Sequence, residues 1–210
     1  EIASCLVGSE MCIRDSPYDY EKAKLIVKEM TDQMVLDLVD KGLVTDQLVL
    51  TIGYDIENLS NPNLKNQYKS EITIDRYGRK VPKHAHGTAN LKKKTSSTRL
   101  ITNAVMDLYD RIVDEHLLVR RITITANKLV DEKSVKQENE YQQLDLFTDY
   151  EAQRKKQAEE EEKLERERRM QEAMLSIKKK FGKNAVLKGM NLEEGATAKD
   201  RNEQIGGHKA

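Results

Sequence analysis

The sequence predicts an α+β domain in a βαββαβ order, two helices on one face of a small sheet, followed by a long charged helix and a mobile tail. Three observations carry that prediction. Two segments repeat apolar residues at three- and four-residue steps, branched segments around them alternate with period two, and apolar residues thin out beyond Lys128. Charged residues make up 34% of the 210 and aromatics 5%, with no Trp, so the core has to be aliphatic and confined to part of the chain.

The first helix is expected over Tyr20 to Lys41, because Ala23, Ile26, Val27, Met30, Met34, Val35, Leu38 and Val39 share one face and Gly42 supplies a stop. Gln47 to Tyr54 reads as a strand with Leu48, Leu50 and Ile52 on one side. A polar loop, Asp55 to Lys69, is punctuated by Asn61-Pro62-Asn63, and Glu71 to Ile74 suits a short hairpin arm. His84 to Leu91 carries Gly87 and small side chains, which fits a strand pressed against another surface. Thr95-Ser96-Ser97 offers caps for a second helix, whose apolar face Leu100, Ile101, Ala104, Val105, Leu108 and Ile112 continues towards His116. Leu118 to Ala126 then alternates, Val119, Arg121, Thr123 and Thr125 on one side and Arg120, Ile122 and Ile124 on the other.

That order lacks its first strand. The place for it is held by residues 1–16, whose text Ser4-Cys5-Leu6-Val7-Gly8-Ser9-Glu10-Met11-Cys12-Ile13-Arg14-Asp15-Ser16 resembles translated sequencing-adapter sequence, so it is set aside as a non-native extension. The remaining divisions are a folded domain over 17–130, a linker over 131–148, a charged helix over 149–182 and a tail over 183–210. In the charged helix, acids such as Glu159 to Glu162 precede bases by three or four residues. The apolar stripe Leu164, Met170, Ala173, Met174 and Ile177 is thin, so a solvated helix is favoured over a partner-binding coil. Gly182 closes it, and the tail has no evident physical role.

The formal charge of zero hides segregation. Between Arg76 and Arg99 stand Arg76, Arg79, Lys80, Lys83, Lys92, Lys93, Lys94 and Arg99 with no acid, a local charge of +8. Lys92-Lys93-Lys94 beside a capped helix start brings cations to free backbone N–H donors, an anion site suited to phosphate. Tyr68 and Tyr77 are the aromatics near this stretch, too few to favour base stacking on a single strand or RNA binding by the sheet. His84 and His86 lack a third ligand at metal spacing, so no metal site is expected. Both cysteines, Cys5 and Cys12, precede residue 17, which suits a reducing cytoplasm, and no apolar run approaches the ~20 residues that span a bilayer.

In the polar linker, Gln143-Leu144-Asp145-Leu146-Phe147 places two leucines and one of the chain's two Phe residues where nothing local can bury them. The pentapeptide resembles the bacterial sliding-clamp-binding motif at every position. From Pro17 to about Leu129, the runs Tyr18-Asp19-Tyr20-Glu21-Lys22-Ala23, Leu48-Val49-Leu50-Thr51-Ile52-Gly53-Tyr54, Tyr77 to Thr88 and Val119-Arg120-Arg121-Ile122 resemble the little-finger domain of Y-family translesion DNA polymerases, above all the UmuC-type branch. Asn184 to Met190, Glu193 to Thr197 and Arg201 to His208 resemble that branch's C-terminus.

The resemblance implies a sheet lying along template-primer duplex DNA in the major groove, gripping phosphates without regard to sequence. It places Arg79, Lys80, Lys83, His84, His86 and Gly87 in or beside the DNA-facing strand and Arg120 and Arg121 in the last strand, of which alternation lets at most one reach DNA. It implies a sliding clamp as partner and DNA repair as the setting. The palm carboxylates that hold the parent enzyme's Mg2+ ions have no counterpart in this sequence, so no cofactor and no polymerase activity are expected of the chain alone. A monomer is expected. The competing reading is a scaffold that associates through the 149–182 helix.

Overall fold

The computed structural model describes residues 7–13, 16–60, 71–75, 77–135, 150–205 and 208–209. Four strands form the body of one antiparallel sheet, β1 (Val7–Cys12), β2 (Leu43–Tyr54), β5 (Ala85–Thr95) and β6 (Val119–Asn127), in the order β1-β6-β2-β5. A short arm of β3 (Ile72–Ile74) and β4 (Lys80–Pro82) follows α2 (Glu57–Ser60), and β7 (Val130–Asp131) pairs with the start of β2. Helices α1 (Tyr20–Asp40) and α3 (Thr98–Ile112) cover one face of the sheet.

The expected helical faces are the buried ones. Ala23, Ile26, Val27, Met30, Met34, Val35, Leu38 and Val39 all lie in the core, as do Leu48, Leu50 and Ile52 of β2. Asp19 caps α1 by accepting from the Lys22 N–H at 2.8 Å, and Gly42, at φ +65°, turns the chain out of it. Ser97 caps α3. The helix stops at Ile112, a turn before His116, where Val113 becomes extended and the Tyr54 hydroxyl accepts from the Asp114 N–H at 3.0 Å. Gly87 faces α3 so closely that a Cβ there would lie 2.8 Å from the Leu108 side chain, which explains the small residues Ala85, Gly87 and Ala89 on that side of β5.

Two expectations about the sheet are corrected. The first strand is present: Val7–Cys12 pairs along β6, Val7 opposite Ala126 and Met11 opposite Ile122. Val7 and Ile13 reach the core because period-two alternation turns Val7, Ser9, Met11 and Ile13 towards the helices. The alternation expected for β6 also breaks at its start. Arg121 opposes Gly53 but Val119 opposes Tyr54, a bulge that buries Val119 instead of leaving it beside Arg121.

Beyond the sheet, α4 (Tyr150–Phe181) is the charged helix, closed by Gly182 at φ +97°. Much of it is exposed, as expected, but Gln171 is 2% exposed and Leu175 packs on the core. The tail for which the sequence offered no role lies along α1. Glu29 of α1 accepts from Asn191 Nδ2 (2.8 Å), from the backbone N–H groups of Thr197 (2.9 Å) and Ala198 (3.0 Å), and from Arg201 (3.5 Å). Lys188 pairs with Asp32 and Lys179 with Asp40. A carboxylate removed from water on the outer side of a helix is tolerated because these donors converge on it.

Candidate nucleic-acid interface

With both large helices on one side, the other side of the sheet is left uncovered, and the register dictates what it presents. Asn127, Gln47 and Asn90 form one cross-strand row. Gly8, Thr125, Val49 and Thr88 form the next, then Glu10, Thr123, Thr51 and His86, then Cys12, Arg121 and Gly53. The rows are dominated by hydroxyl and amide groups. Gln47 Nε2 donates to Asn90 at 2.9 Å, and Thr51 Oγ1 and His86 Nδ1 lie 2.9 Å apart. Sequence reasoning singled out His86 and Arg121 on this surface but not Gln47, Thr51, Thr88, Asn90, Thr123 and Thr125. The signal for them was the polar half of each alternating strand.

The basic residues divide into three groups. Lys80, Lys92, Lys93, Lys94, His84 and His86 are exposed, the three lysines sitting where the β2–β5 register shifts by a bulge. Arg79, Lys83 and Arg121 are exposed but paired, with Asp75 (2.7 Å), Glu71 (2.6 Å) and Glu10 (2.6 Å). Arg120 is half-buried, its guanidinium on the buried Asp55 and donating to the Ile13 carbonyl at 2.9 Å. Arg120 and Arg121, of which alternation was expected to let at most one reach DNA, have different partners, and both line the cleft beside the β3–β4 arm. Arg76 and the pentapeptide Gln143 to Phe147 lie outside the described residues.

At the start of α3, where Ser96, Ser97 and the lysine run were expected to receive an anion, a carboxylate of the same chain takes the Ser97 and Arg99 donors. Ser97 Oγ donates to Glu167 at 2.6 Å and the Arg99 N–H donates to it at 2.9 Å, while the Arg99 side chain pairs with Glu160. Gln171 donates to the Ser96 carbonyl and to Thr98 Oγ1, both at 2.9 Å.

The β3–β4 arm bends over one end of the open face and bounds a cleft of about 550 Å³ whose walls include Gly53, Tyr77, Pro82, His84 and Arg121. Its turn depends on Asp75, which accepts from the backbone N–H groups of Tyr77 and Arg79 at 2.9 Å each. The Arg79 backbone and then its side chain hold the Asp75 carboxyl below the usual range, and the Lys83 ammonium does the same for Glu71. Depressed carboxylates stabilise a fold above their ordinary pKa and lose that contribution as pH falls through the lowered value. Acidification through that range should therefore loosen the arm, and the same sign holds for Asp110, which Lys24 and Tyr20 hold below its ordinary value between α3 and α1. Amide exchange should show Tyr77 and Arg79 losing protection while Ile122 and Ile124 keep theirs; parallel loss in β6 would refute a local effect.

Among the described residues no group of three or more His, Cys, Asp or Glu is placed to hold a metal ion, and no helix is long and apolar enough to cross a membrane. The architecture and this uncovered polar face define a small α+β module of the little-finger type. The chain belongs to the impB/mucB/samB family C-terminal domain, whose model matches residues 7–146, and so is the little-finger domain of a Y-family polymerase. That match includes the strand Val7–Cys12. Among solved structures, the chain is similar to one described as a complex of beta-clamp processivity factor and little finger domain of PolIV, at 8% identity and a TM-score of 0.37, covering 59% of this chain and 87% of that one. It is also similar to a post-insertion binary complex of Dbh DNA polymerase, at 9% identity and a TM-score of 0.34, covering 60% of this chain but 29% of that one. No curated protein matches.

Proposed function

We propose that this domain grips duplex DNA through its backbone on the uncovered sheet face, within a translesion polymerase acting in DNA repair, and that Gln143-Leu144-Asp145-Leu146-Phe147 tethers it to a bacterial sliding clamp. The observation that carries the grip is the face itself. Rows of Thr, Asn, Gln and His donors lie beside exposed Lys92, Lys93 and Lys94, with both large helices on the far side. Such groups position a phosphate backbone without reading bases. The rows named above contain no Tyr, Phe or Trp, which favours a duplex over a stacked single strand. Arg121, His84 and Lys80 extend the surface, while Arg79 and Lys83 reach it by exchanging an acid for a phosphate. Arg120 is the less available of the two neighbouring arginines in this reading, since its partner Asp55 is buried.

Fluorescence anisotropy with a labelled duplex tests this. Log affinity should fall linearly with log salt, by about 0.9 for each phosphate neutralised. Alanine at Lys92, Lys93 and Lys94 together should weaken binding across sequences and flatten that slope by up to about 2.7. Salt-independent binding, or an unchanged slope in the triple variant, would remove the lysines from the grip.

A further inference from the structure

Helix α4 spans 32 residues, and its two halves are held differently. Towards its C-terminus Leu175 packs on the core and Gln171 is buried against the start of α3. Towards its N-terminus the hold is ionic. Glu167 takes the Ser97 hydroxyl and the Arg99 N–H, and Glu160, seven residues earlier and so on the same side of the helix, takes the Arg99 guanidinium. A hydroxyl, a helix N-terminal N–H and a guanidinium are the donors that would receive a phosphate oxygen. Exposed Lys92, Lys93 and Lys94 stand a few residues away, and among the described residues none of them is in an ion pair.

The contact is also built to give way. The Arg99 and Glu160 side chains are 45% and 41% exposed, so water competes for both partners. A cleft of about 300 Å³, lined in part by Lys94, Ser97, Leu164 and Glu167, remains between α4 and the β5–α3 junction. The seat is occupied but not packed shut.

Resting on the DNA-binding reading, we propose that α4 is an intramolecular phosphate mimic: Glu160 and Glu167 occupy with carboxylates the place of a duplex phosphate at Ser97 and Arg99, and the docked helix competes with DNA there. DNA reaches this end of the interface by displacing the two glutamates, after which Arg99 and the first turn of α3 join the lysines in the grip. The competition lowers apparent affinity by the fraction of molecules in which the helix is lifted.

The test compares two double variants of equal charge in the full chain. Glu160→Gln with Glu167→Gln empties the seat, whereas Glu161→Gln with Glu165→Gln removes the same charge from exposed positions of α4. At fixed salt the first pair should bind a labelled duplex about tenfold more tightly than the second. Equal shifts in both pairs overturn the mimic while leaving DNA binding intact; absence of duplex binding in wild type and both variants at low salt overturns the DNA-binding reading and the mimic with it. Hydrogen exchange on the wild-type chain supplies a readout that needs no variant to fold. Saturating duplex should strip protection from α4 amides between Arg154 and Glu167, and unchanged or increased protection there overturns the proposal.

Discussion

Replacing Glu29 with alanine is expected to release the tail beyond Lys183 from the domain and to lower stability by about 3 kcal/mol, the lower end of what loss of one partner from a buried charge pair costs. The Glu29 side chain is fully buried and is the common acceptor for Asn191, Thr197, Ala198 and Arg201. Burial pushes the Arg201 guanidinium down from its ordinary value, and Glu29 opposes that shift. Without the carboxylate, two backbone N–H groups, the Asn191 amide and a desolvated guanidinium lose their common acceptor, and the tail recovers hydration by leaving. The effect stays at the lower end because those donors find water once the tail departs. Thermal unfolding should show a midpoint lower by roughly 6 to 12 °C. Trypsin should cut at Lys188, Lys199 and Arg201 well before it cuts within β2 or β6. Glu29→Gln should fall between, since an amide keeps one acceptor but turns N–H donors towards the Thr197 and Ala198 N–H groups. Wild-type melting and wild-type cleavage in Glu29→Ala would show that the carboxylate does not hold the tail.

Phe147→Ala is expected to abolish measurable clamp binding while leaving duplex affinity unchanged. Burying Leu144, Leu146 and Phe147 in a partner's pocket contributes roughly 1.5 to 3 kcal/mol each. After the cost of ordering a short peptide, an affinity near the micromolar level, about 8 kcal/mol, remains. An aromatic anchor in a pentapeptide is the residue whose truncation costs most, at least about 2 kcal/mol and a factor of about 30. That carries the complex beyond a micromolar titration. The proposed grip on DNA lies on β2, β5 and β6, away from the pentapeptide in sequence, so it should not respond. Surface plasmon resonance against immobilised clamp decides the matter, and equal affinities for wild type and Phe147→Ala would rule the pentapeptide out. A stable dimer lost on deleting 150–180 would instead favour a scaffold role for α4.

The apolar periodicities located α1, α3 and the second part of β2, which begins at Leu43 and not at Gln47, because each writes its own repeat into a contiguous stretch. The weak signal at His84 to Leu91 became interpretable for the same reason: small residues on every second position match a strand against which α3 closes at Gly87. The interface was legible only in part. The lysine run was visible as charge, whereas the Thr, Asn and Gln rows emerge once four strands far apart in sequence are set in register. Arg120 and Arg121 are adjacent and chemically identical, and the buried Asp55 engages one while Glu10 on the open face engages the other.

Local order, helix caps, the charged helix and the clamp-like pentapeptide were therefore determined by the sequence alone, since propensity, periodicity and short motifs act between near neighbours. The strand order β1-β6-β2-β5, the seat of Glu167 on α3 and the gathering of the tail around Glu29 were decided only by the tertiary structure. Those contacts join residues from 33 positions apart, Ile52 opposite Ala85, to 172 apart, Glu29 with Arg201. A charged residue in a helix gives no local sign of whether water or a distant donor will satisfy it, because that choice is made by what the folded chain brings alongside.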